Sequence, residues 1–202
     1  KGHRVLMNAV NGMPADLRAD GVILVTGGAR SGKSGFAEQL ARRAKGSVGY
    51  IATAAVTDPD MADRVARHKA QRPAEGETFE QYRDFAALPG QPRFQGCGTL
   101  LLDCLTTLTA NHMMDSGLDF DTCSMDAVQA IEERVHAEVD ELLAAAAGKL
   151  LIAVTNEVGM GVVPAFRMGG IFRDIAGRLN MYAAARADEV YCMISGLPLR
   201  LK

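Results

Sequence analysis

A glycine-rich segment directly after a short apolar run is the feature that most constrains how this chain can fold. Residues 27–34 (GGARSGKS) match the phosphate-binding pattern G-x-x-x-x-G-K-[ST]. They lie between the apolar run at residues 22–25 and a helix-like segment at residues 36–44. A strand before the loop and a helix after it are the context that this motif requires. The segment therefore predicts a phosphate-binding P-loop in an α/β fold.

The residue types of this loop suit a phosphate site. Glycines let the backbone fold closely around an anion, so that several N–H groups and the positive end of the next helix point at the same phosphates. We expect the Lys33 ammonium to reach the β- and γ-phosphates and the Ser34 hydroxyl to bind the Mg²⁺ that accompanies the nucleotide. The predicted nucleotide contacts of the loop are Gly27, Gly28, Ala29, Arg30, Ser31, Gly32, Lys33 and Ser34. The alternative is a turn that merely joins a strand to a helix.

Length and composition restrict the class of protein. With 202 residues, 48% of them hydrophobic, we expect a single domain at residues 21–202 after a loose N-terminal extension at residues 1–20. A net charge of −2 without a basic stripe gives no support for nucleic-acid binding. No apolar run approaches the roughly 20 residues of a membrane span. Four cysteines without a C-x-x-C pair predict free thiols and a cytoplasmic protein.

Apolar, β-branched runs recur along the chain with helical patterns between most of them. They lie at residues 22–25, 48–51, 100–102, 150–154 and 190–194. Nearly continuous hydrophobic strands are typical of a parallel sheet that is covered on both faces. We therefore expect a three-layer P-loop NTPase fold of the RecA-like type with a mostly parallel central sheet.

Three further segments have clear patterns. Residues 124–147 predict a long helix with Ser124 as its cap and an apolar stripe that begins at Met125. Residues 88–98, rich in Gly, Pro and Gln, predict a surface loop. Residues 197–202 alternate after a Ser-Gly turn and predict a short edge strand, which would close a C-terminal edge hairpin.

A charged helical segment at residues 58–72 follows the second predicted strand. Its spacing puts Arg64, His68 and Arg72 on one helix face. Repulsion from the two arginines would favour a neutral imidazole, which is a competent nucleophile, and the guanidinium groups can hold phosphate oxygens. By spacing alone, an exposed and solvated helix face is the better interpretation.

Several separated segments, taken together, resemble one family. They are ILVTGGARSGKS from Ile23, YIAT from Tyr50, RVARHKAQRP from Arg64, LLDCLTTLTAN from Leu101, VTNEVGMGVVP from Val154 and FRDIAGRLN from Phe172. Ordinary P-loop proteins share only the first of these. Over about residues 22 to 202 the chain resembles the bifunctional adenosylcobinamide kinase / adenosylcobinamide-phosphate guanylyltransferases of cobalamin biosynthesis.

This resemblance implies two reactions. In the first, a γ-phosphoryl group passes from ATP or GTP to the hydroxyl of the aminopropanol arm of adenosylcobinamide. In the second, a histidine attacks the α-phosphorus of GTP and expels pyrophosphate, and the cobinamide phosphate then takes the GMP to give adenosylcobinamide-GDP. Members of the family associate as homotrimers, so the resemblance implies a homotrimer here.

The resemblance also implies roles for individual residues. In that family the histidine of an R-x-x-x-H-[KR]-x-x-R-P segment is guanylylated, and the matching residue is His68, which joins Lys33 as a catalytic residue. Lys69, Arg72 and Glu80 are candidates for nucleotide contacts. Asp103, in the matching LLDC segment, is a candidate ligand for nucleotide or Mg²⁺.

Glu157 follows the fourth predicted strand, at an edge where parallel sheets bind ligands. It is a candidate base for the substrate hydroxyl or a ligand of the metal through water, and the sequence leaves both open. Two other functions are alternatives.

In a single-function P-loop small-molecule kinase, His68 would be only a surface residue. The other alternative is a nucleotide-binding switch, but the sequence has no N-K-x-D motif of the kind that recognises guanine.

Overall fold

A seven-stranded sheet forms the centre of the protein. The computed structural model describes residues 12–54 and 76–202. The strands are β1 (Gly21–Gly27), β2 (Ser47–Ala52), β3 (Glu77–Glu80), β4 (Cys97–Asp103), β5 (Leu150–Val154), β6 (Glu189–Ile194) and β7 (Leu197–Arg200). Their order across the sheet is β3-β2-β4-β5-β1-β6-β7. All neighbours pair in parallel except β6 and β7, which confirms the mostly parallel sheet and the C-terminal edge hairpin.

Helices cover both faces of this sheet. They are α1 (Lys33–Arg43), a 3₁₀ helix (Phe85–Gly90), α2 (Pro92–Gln95), α3 (Leu105–Asp115), α4 (Met125–Ala145) and α5 (Arg167–Arg186). On one face, α1 packs on Ile23, Val25, Leu101 and Ile152 through Phe36 and Leu40. On the other face, α3, α4 and α5 pack on Leu24, Leu100, Leu102 and Leu151. Successive strand residues therefore point into different cores, as expected where both faces of a sheet are covered.

Residues 12–20, which precede β1, pack against the domain. Met13 and Leu17 pack against the core on the α1 side. The Arg43 guanidinium donates to the Ala15 carbonyl oxygen over 3.1 Å, and Arg18 forms a 3.2 Å ion pair with Asp188. Residues 1–11, the rest of the predicted extension, lie outside the described residues.

The predicted long helix is present as α4, with one correction. The Ser124 hydroxyl accepts a hydrogen bond from the Ala127 N–H over 3.2 Å, so the predicted cap is confirmed. Met125, however, is 62% exposed. The apolar stripe of α4 starts at Val128, because the first helical residue lies beyond the edge of the core that the helix covers.

The predicted surface loop at residues 88–98 is wrong. These residues form the end of the 3₁₀ helix, α2 and the start of β4, and Leu88, Phe94 and Cys97 are buried. The Phe94 ring packs edge-on against Phe79 of β3, with 5.6 Å between the ring centroids. Pro and Gly shape the backbone here, but the two aromatic rings close one end of the core.

Within residues 12–54 and 76–202, no helix has the length and apolar character needed to cross a membrane.

We expect Phe94→Ala to lower the free energy of unfolding by about 3–5 kcal/mol, because it leaves a cavity beside Phe79. Urea denaturation followed by circular dichroism measures this loss. Phe166→Ala removes the same atoms from a ring that is 80% exposed, so it should change the stability by less than about 0.5 kcal/mol. Equal effects of the two substitutions would contradict the buried position of Phe94.

Candidate functional site

The parallel register brings the carboxyl ends of five strands into one row. Val25 of β1 is aligned with Val154, Val154 with Asp103, Asp103 with Ala52, and Ala52 with Glu80. Neighbouring strands lie about 4.8 Å apart, so Asp103 is about 10 Å across the sheet from both β1 and β3. We call this row and the loops that follow it the carboxyl edge. In open α/β sheets, ligands bind beyond this edge.

The P-loop, residues 27–34, leaves the carboxyl edge at the end of β1 and turns into α1. Its backbone requires glycine at two points, because Gly27 and Gly32 have φ angles of 143° and 98°. A Cβ atom on Gly27 would also lie 2.5 Å from the Met193 carbonyl oxygen and 2.8 Å from the Ser31 hydroxyl oxygen. The loop is thus packed against the end of β6, and its N–H groups precede a helix N-terminus, where anions bind.

Lys33 is the charged centre of this loop. The side chain is largely buried, and its Nζ donates to the Gly28 carbonyl oxygen over 2.6 Å. Burial lowers the pKa of the Lys33 ammonium, and the nearby charges of Asp103 and Glu157 act in the opposite direction. The structure therefore brings together a cation and two carboxylates that are far apart in the sequence.

Glu157 is held against the P-loop by its backbone and its side chain. Its N–H donates to the Gly27 carbonyl oxygen over 3.0 Å. Its Oε1 accepts from the Thr26 hydroxyl over 2.6 Å and from the Asn180 amide over 3.2 Å. Among the described residues, Oε2 of Glu157 has no hydrogen-bond donor. One carboxylate oxygen is thus anchored, and the other is left for a ligand.

Asp103 ends β4 on the same face of the sheet as α1. The Tyr50 hydroxyl donates to its Oδ2 over 2.8 Å, so a largely buried phenol orients this carboxylate. Ser34 is the second residue of α1. It directly follows Lys33, whose pKa is lowered by burial, while the nearby charge of Asp103 acts to raise it. A hydroxyl and a carboxylate are hard oxygen donors, which suits Mg²⁺. No cluster of three or more His, Cys, Asp or Glu among residues 12–54 and 76–202 has a metal-holding arrangement.

Two thiols lie close enough to affect Lys33. Burial raises the pKa of the Cys104 thiol and of the Cys192 thiol. Both are therefore protonated near neutral pH, and neither has the thiolate form that a cysteine nucleophile needs. All four cysteines are free thiols.

Not every residue predicted for the site is brought to Lys33. The P-loop, Asp103 and Glu157 are. Glu80 is exposed at the end of β3, two strands away from Asp103. The predicted residues His68, Lys69 and Arg72, together with Arg64, lie outside the described residues.

Three residues of the site were missed by the sequence analysis: Thr26, Tyr50 and Asn180. Each is a buried residue with a polar group, and each donates a hydrogen bond to one of the two predicted carboxylates, Asp103 or Glu157. A buried polar residue in an apolar run requires a hydrogen-bond partner. That requirement was the available signal, but it does not identify the partner.

Comparison with known proteins places these residues in a wider context. Residues 23–201 match the family described as CobU, cobinamide kinase / cobinamide phosphate guanyltransferase. The chain is 42% identical over 183 residues to the bifunctional adenosylcobalamin biosynthesis protein CobU of Escherichia coli (strain K12), which covers 90% of this chain and 99% of that protein. It is 37% identical over 180 residues to the bifunctional adenosylcobalamin biosynthesis protein CobP of Pseudomonas aeruginosa, covering 89% and 96% of the two chains.

A solved structure supports the fold class. The chain is similar to a prototypical ATPase from the type III secretion system of pathogenic bacteria, with a TM-score of 0.53 and 14% identity. The likeness covers 85% of this chain and 50% of that one, so the chain spans about half of the ATPase. With the sheet order and the loop geometry, it confirms the predicted three-layer P-loop fold.

We expect Lys33→Met to have opposite effects on binding and on stability. The loss of the ammonium should weaken binding of a nucleoside triphosphate about 10- to 100-fold, since a hydrogen bond to a charged group contributes about 1.5–3 kcal/mol. Because the pKa of folded Lys33 lies below its unfolded value, the buried charge destabilises the fold in full below the folded pKa, and the effect vanishes above the unfolded pKa. The variant should therefore unfold at a higher temperature at neutral pH, and this gain should shrink at alkaline pH.

Titration calorimetry and thermal unfolding at several pH values measure the two effects. Arg42→Met on the exposed side of the same helix is the matched control and should leave nucleotide binding unchanged. Wild-type affinity in Lys33→Met would contradict the assignment of the P-loop as the phosphate site.

Proposed function

The chain belongs to the cobinamide kinase / cobinamide phosphate guanyltransferase family, and on that premise we propose that it carries out both reactions at the carboxyl edge. It is a bifunctional transferase of cobalamin biosynthesis that acts on adenosylcobinamide and adenosylcobinamide phosphate, with ATP and GTP as nucleotide substrates. One observation carries the assignment to this edge: Lys33, Asp103 and Glu157, from three separate family segments, converge at the P-loop.

In the kinase reaction, the hydroxyl of the aminopropanol arm is the nucleophile. Glu157 takes the hydroxyl proton on Oε2, since its Oε1 is already occupied by Thr26 and Asn180. The hydroxyl oxygen forms a bond to the γ-phosphorus, and the bond from that phosphorus to the β-phosphate oxygen breaks. The P-loop N–H groups and the Lys33 ammonium hold the negative charge on the phosphates.

Ser34 and Asp103 are the residues that would hold Mg²⁺. When bound, the ion neutralises phosphate charge. The contribution of the protein is to orient the donors: α1 fixes Ser34 directly after Lys33, and the Tyr50 hydroxyl fixes one oxygen of Asp103. Glu157 is assigned as the base, because it is held by donors from β1 and α5 beside the P-loop.

In the guanylyltransferase reaction, His68 is the nucleophile. Its imidazole attacks the α-phosphorus of GTP, pyrophosphate leaves, and the phosphate of the cobinamide then displaces the histidine to form adenosylcobinamide-GDP. The support for this step is the match of residues 23–201 to the family and the path of the chain. The segment that contains His68 begins after β2, whose last residue Ala52 is aligned with Asp103 at the carboxyl edge.

Three further residues are assigned to the nucleotide. Lys69 and Arg72 follow His68 in the same sequence segment and supply charges for the α-phosphate and the pyrophosphate. Glu80 ends β3, at the next position along the carboxyl edge, and is the candidate contact for the guanine. We also propose that the protein is cytoplasmic and forms a homotrimer. Sedimentation equilibrium of the full chain tests the oligomeric state.

We expect wild-type protein incubated with GTP and Mg²⁺, without corrinoid, to gain the mass of one GMP through an acid-labile bond. Intact-mass spectrometry measures the adduct. His68→Ala should show no adduct and should keep the kinase activity, because the kinase reaction is assigned to Lys33 and Glu157.

The control is His136→Ala, which changes a histidine stacked on Tyr182 between α4 and α5 and should form the adduct normally. If active wild-type protein forms no adduct, the covalent step is wrong and the chain is a single-function kinase.

A further inference from the structure

We propose that Asn180 of α5 is a positioning residue for the kinase reaction: it holds the Glu157 carboxylate in the orientation in which Oε2 meets the substrate hydroxyl. This inference rests on the proposed role of Glu157 as the base. It assigns a function to a residue that is itself too deep in the protein to bind the corrinoid, since Asn180 is only 8% exposed.

The carboxamide of Asn180 is fully used. Its Oδ1 accepts from the Thr155 hydroxyl over 2.6 Å. Its Nδ2 donates to the Asn156 carbonyl oxygen over 3.0 Å and to Glu157 Oε1 over 3.2 Å. The chemistry fixes the orientation of the amide, because a carbonyl and a carboxylate can only accept, and a reversed amide would place Oδ1 against both of them.

A second donor reaches the same carboxylate oxygen from another part of the fold. The Thr26 hydroxyl, on β1, donates to Glu157 Oε1 over 2.6 Å. Oε1 is therefore fixed between a strand and a helix, while the backbone N–H of Glu157 is bonded to the Gly27 carbonyl oxygen. Two contacts thus restrain the carboxylate and a third restrains the backbone, and all three come from buried residues.

The geometry has a direct consequence for proton transfer. A general base must lie within about 2.6–3.2 Å of the oxygen whose proton it takes. Without the Asn180 donor, Glu157 retains its charge but its Oε1 is held by the Thr26 hydroxyl alone, so the carboxylate can turn about that one contact. A displacement of about 1 Å at a reacting group lowers a rate about 100-fold. The expected signature is therefore a loss in kcat with little change in nucleotide binding.

The simplest alternative is that Asn180 only stabilises the turn after β5. Asn180→Asp keeps the shape and the bond from Thr155 but places a carboxylate oxygen against both Glu157 Oε1 and the Asn156 carbonyl oxygen. A loss of stability alone is expected if only the turn is affected, whereas a loss of kcat is expected from the positioning role. We expect kcat of the kinase reaction, measured with ATP and adenosylcobinamide, to fall about 10- to 100-fold. The KM for ATP and the calorimetric affinity for ATP should stay within about twofold of the wild-type values, because the substitution removes no contact with ATP.

The control is Gln95→Glu. Gln95 is the last residue of α2 and precedes the start of β4, at the opposite end of the sheet from Glu157. Its Nε2 donates to the Pro89 carbonyl oxygen over 3.0 Å, so the change likewise puts a carboxylate oxygen against a carbonyl oxygen. It should lower the unfolding temperature and leave kcat near the wild-type value. If Asn180→Asp behaves in the same way as this control, the positioning role is wrong.

An exchange of the two groups completes the test. Glu157→Gln alone should lower kcat about 10²- to 10⁴-fold, as expected for the loss of a general base. Combined with Asn180→Asp, the amide and the carboxylate exchange positions, so the hydrogen bond between residues 157 and 180 should re-form and part of the lost stability should return, while kcat stays low. The contact with the Asn156 carbonyl oxygen stays broken in both variants that carry the aspartate. If the exchange restores kcat, the carboxylate at position 157 is not the base and the positioning role falls with it.

These measurements distinguish a failure of Glu157 as the base from a failure of Asn180 as the positioning residue. Full kinase activity in Glu157→Gln would overturn the proposed base itself. An inactive Glu157→Gln with wild-type kcat in Asn180→Asp would overturn only the positioning role. Should Asn180→Asp fail to fold, Asn180→Ala removes the same donor without adding a charge, and a wild-type kcat there would contradict the positioning role.

Discussion

The alignment of β1, β4 and β5 as parallel neighbours is the constraint on which the functional site depends. Because side chains alternate along a strand, Leu101 and Asp103 face α1 while Leu100 and Leu102 enter the opposite core. A slip of one residue in β4 would turn Asp103 away from Lys33 and place it among α3, α4 and α5. The hydrophobic pattern that forms two cores thus also selects the face on which the carboxylate lies.

Burial of Lys33 shows how the fold accommodates a functional charge. Taking an ammonium out of water is unfavourable unless it is hydrogen-bonded and paired. The loop supplies the Gly28 carbonyl oxygen, and the carboxyl edge supplies the charges of Asp103 and Glu157. These carboxylates are in turn oriented by Tyr50, Thr26 and Asn180. The phosphate site is therefore a network in which the stability of each charge depends on polar groups from other elements.

Sequence reasoning succeeded where the signal was local. The P-loop is one uninterrupted motif, and its strand and helix were predicted with it. Strand β3 was missed, because only Phe79 of its four residues is buried and so short a segment has no clear pattern. The loop predicted for residues 88–98 failed because burial of Phe94 depends on Phe79, which lies on another element.

The supporting residues of the site were missed for the same reason. Thr26 and Glu157 are separated by 131 positions, and Asn180 and Glu157 by 23. No local pattern pairs such residues, and the family resemblance identified the segments without showing which of their side chains meet. In the proposed mechanism, these residues, which are far apart in the sequence, also have separate roles. In that mechanism the P-loop would hold the group that is transferred in the kinase reaction and the pyrophosphate that leaves in the other, so Lys33 would serve both reactions. Glu157, anchored to β1 and α5, would meet only the substrate hydroxyl, and His68, on the segment after β2, would meet only the α-phosphorus, so each residue would be specialised for one reaction.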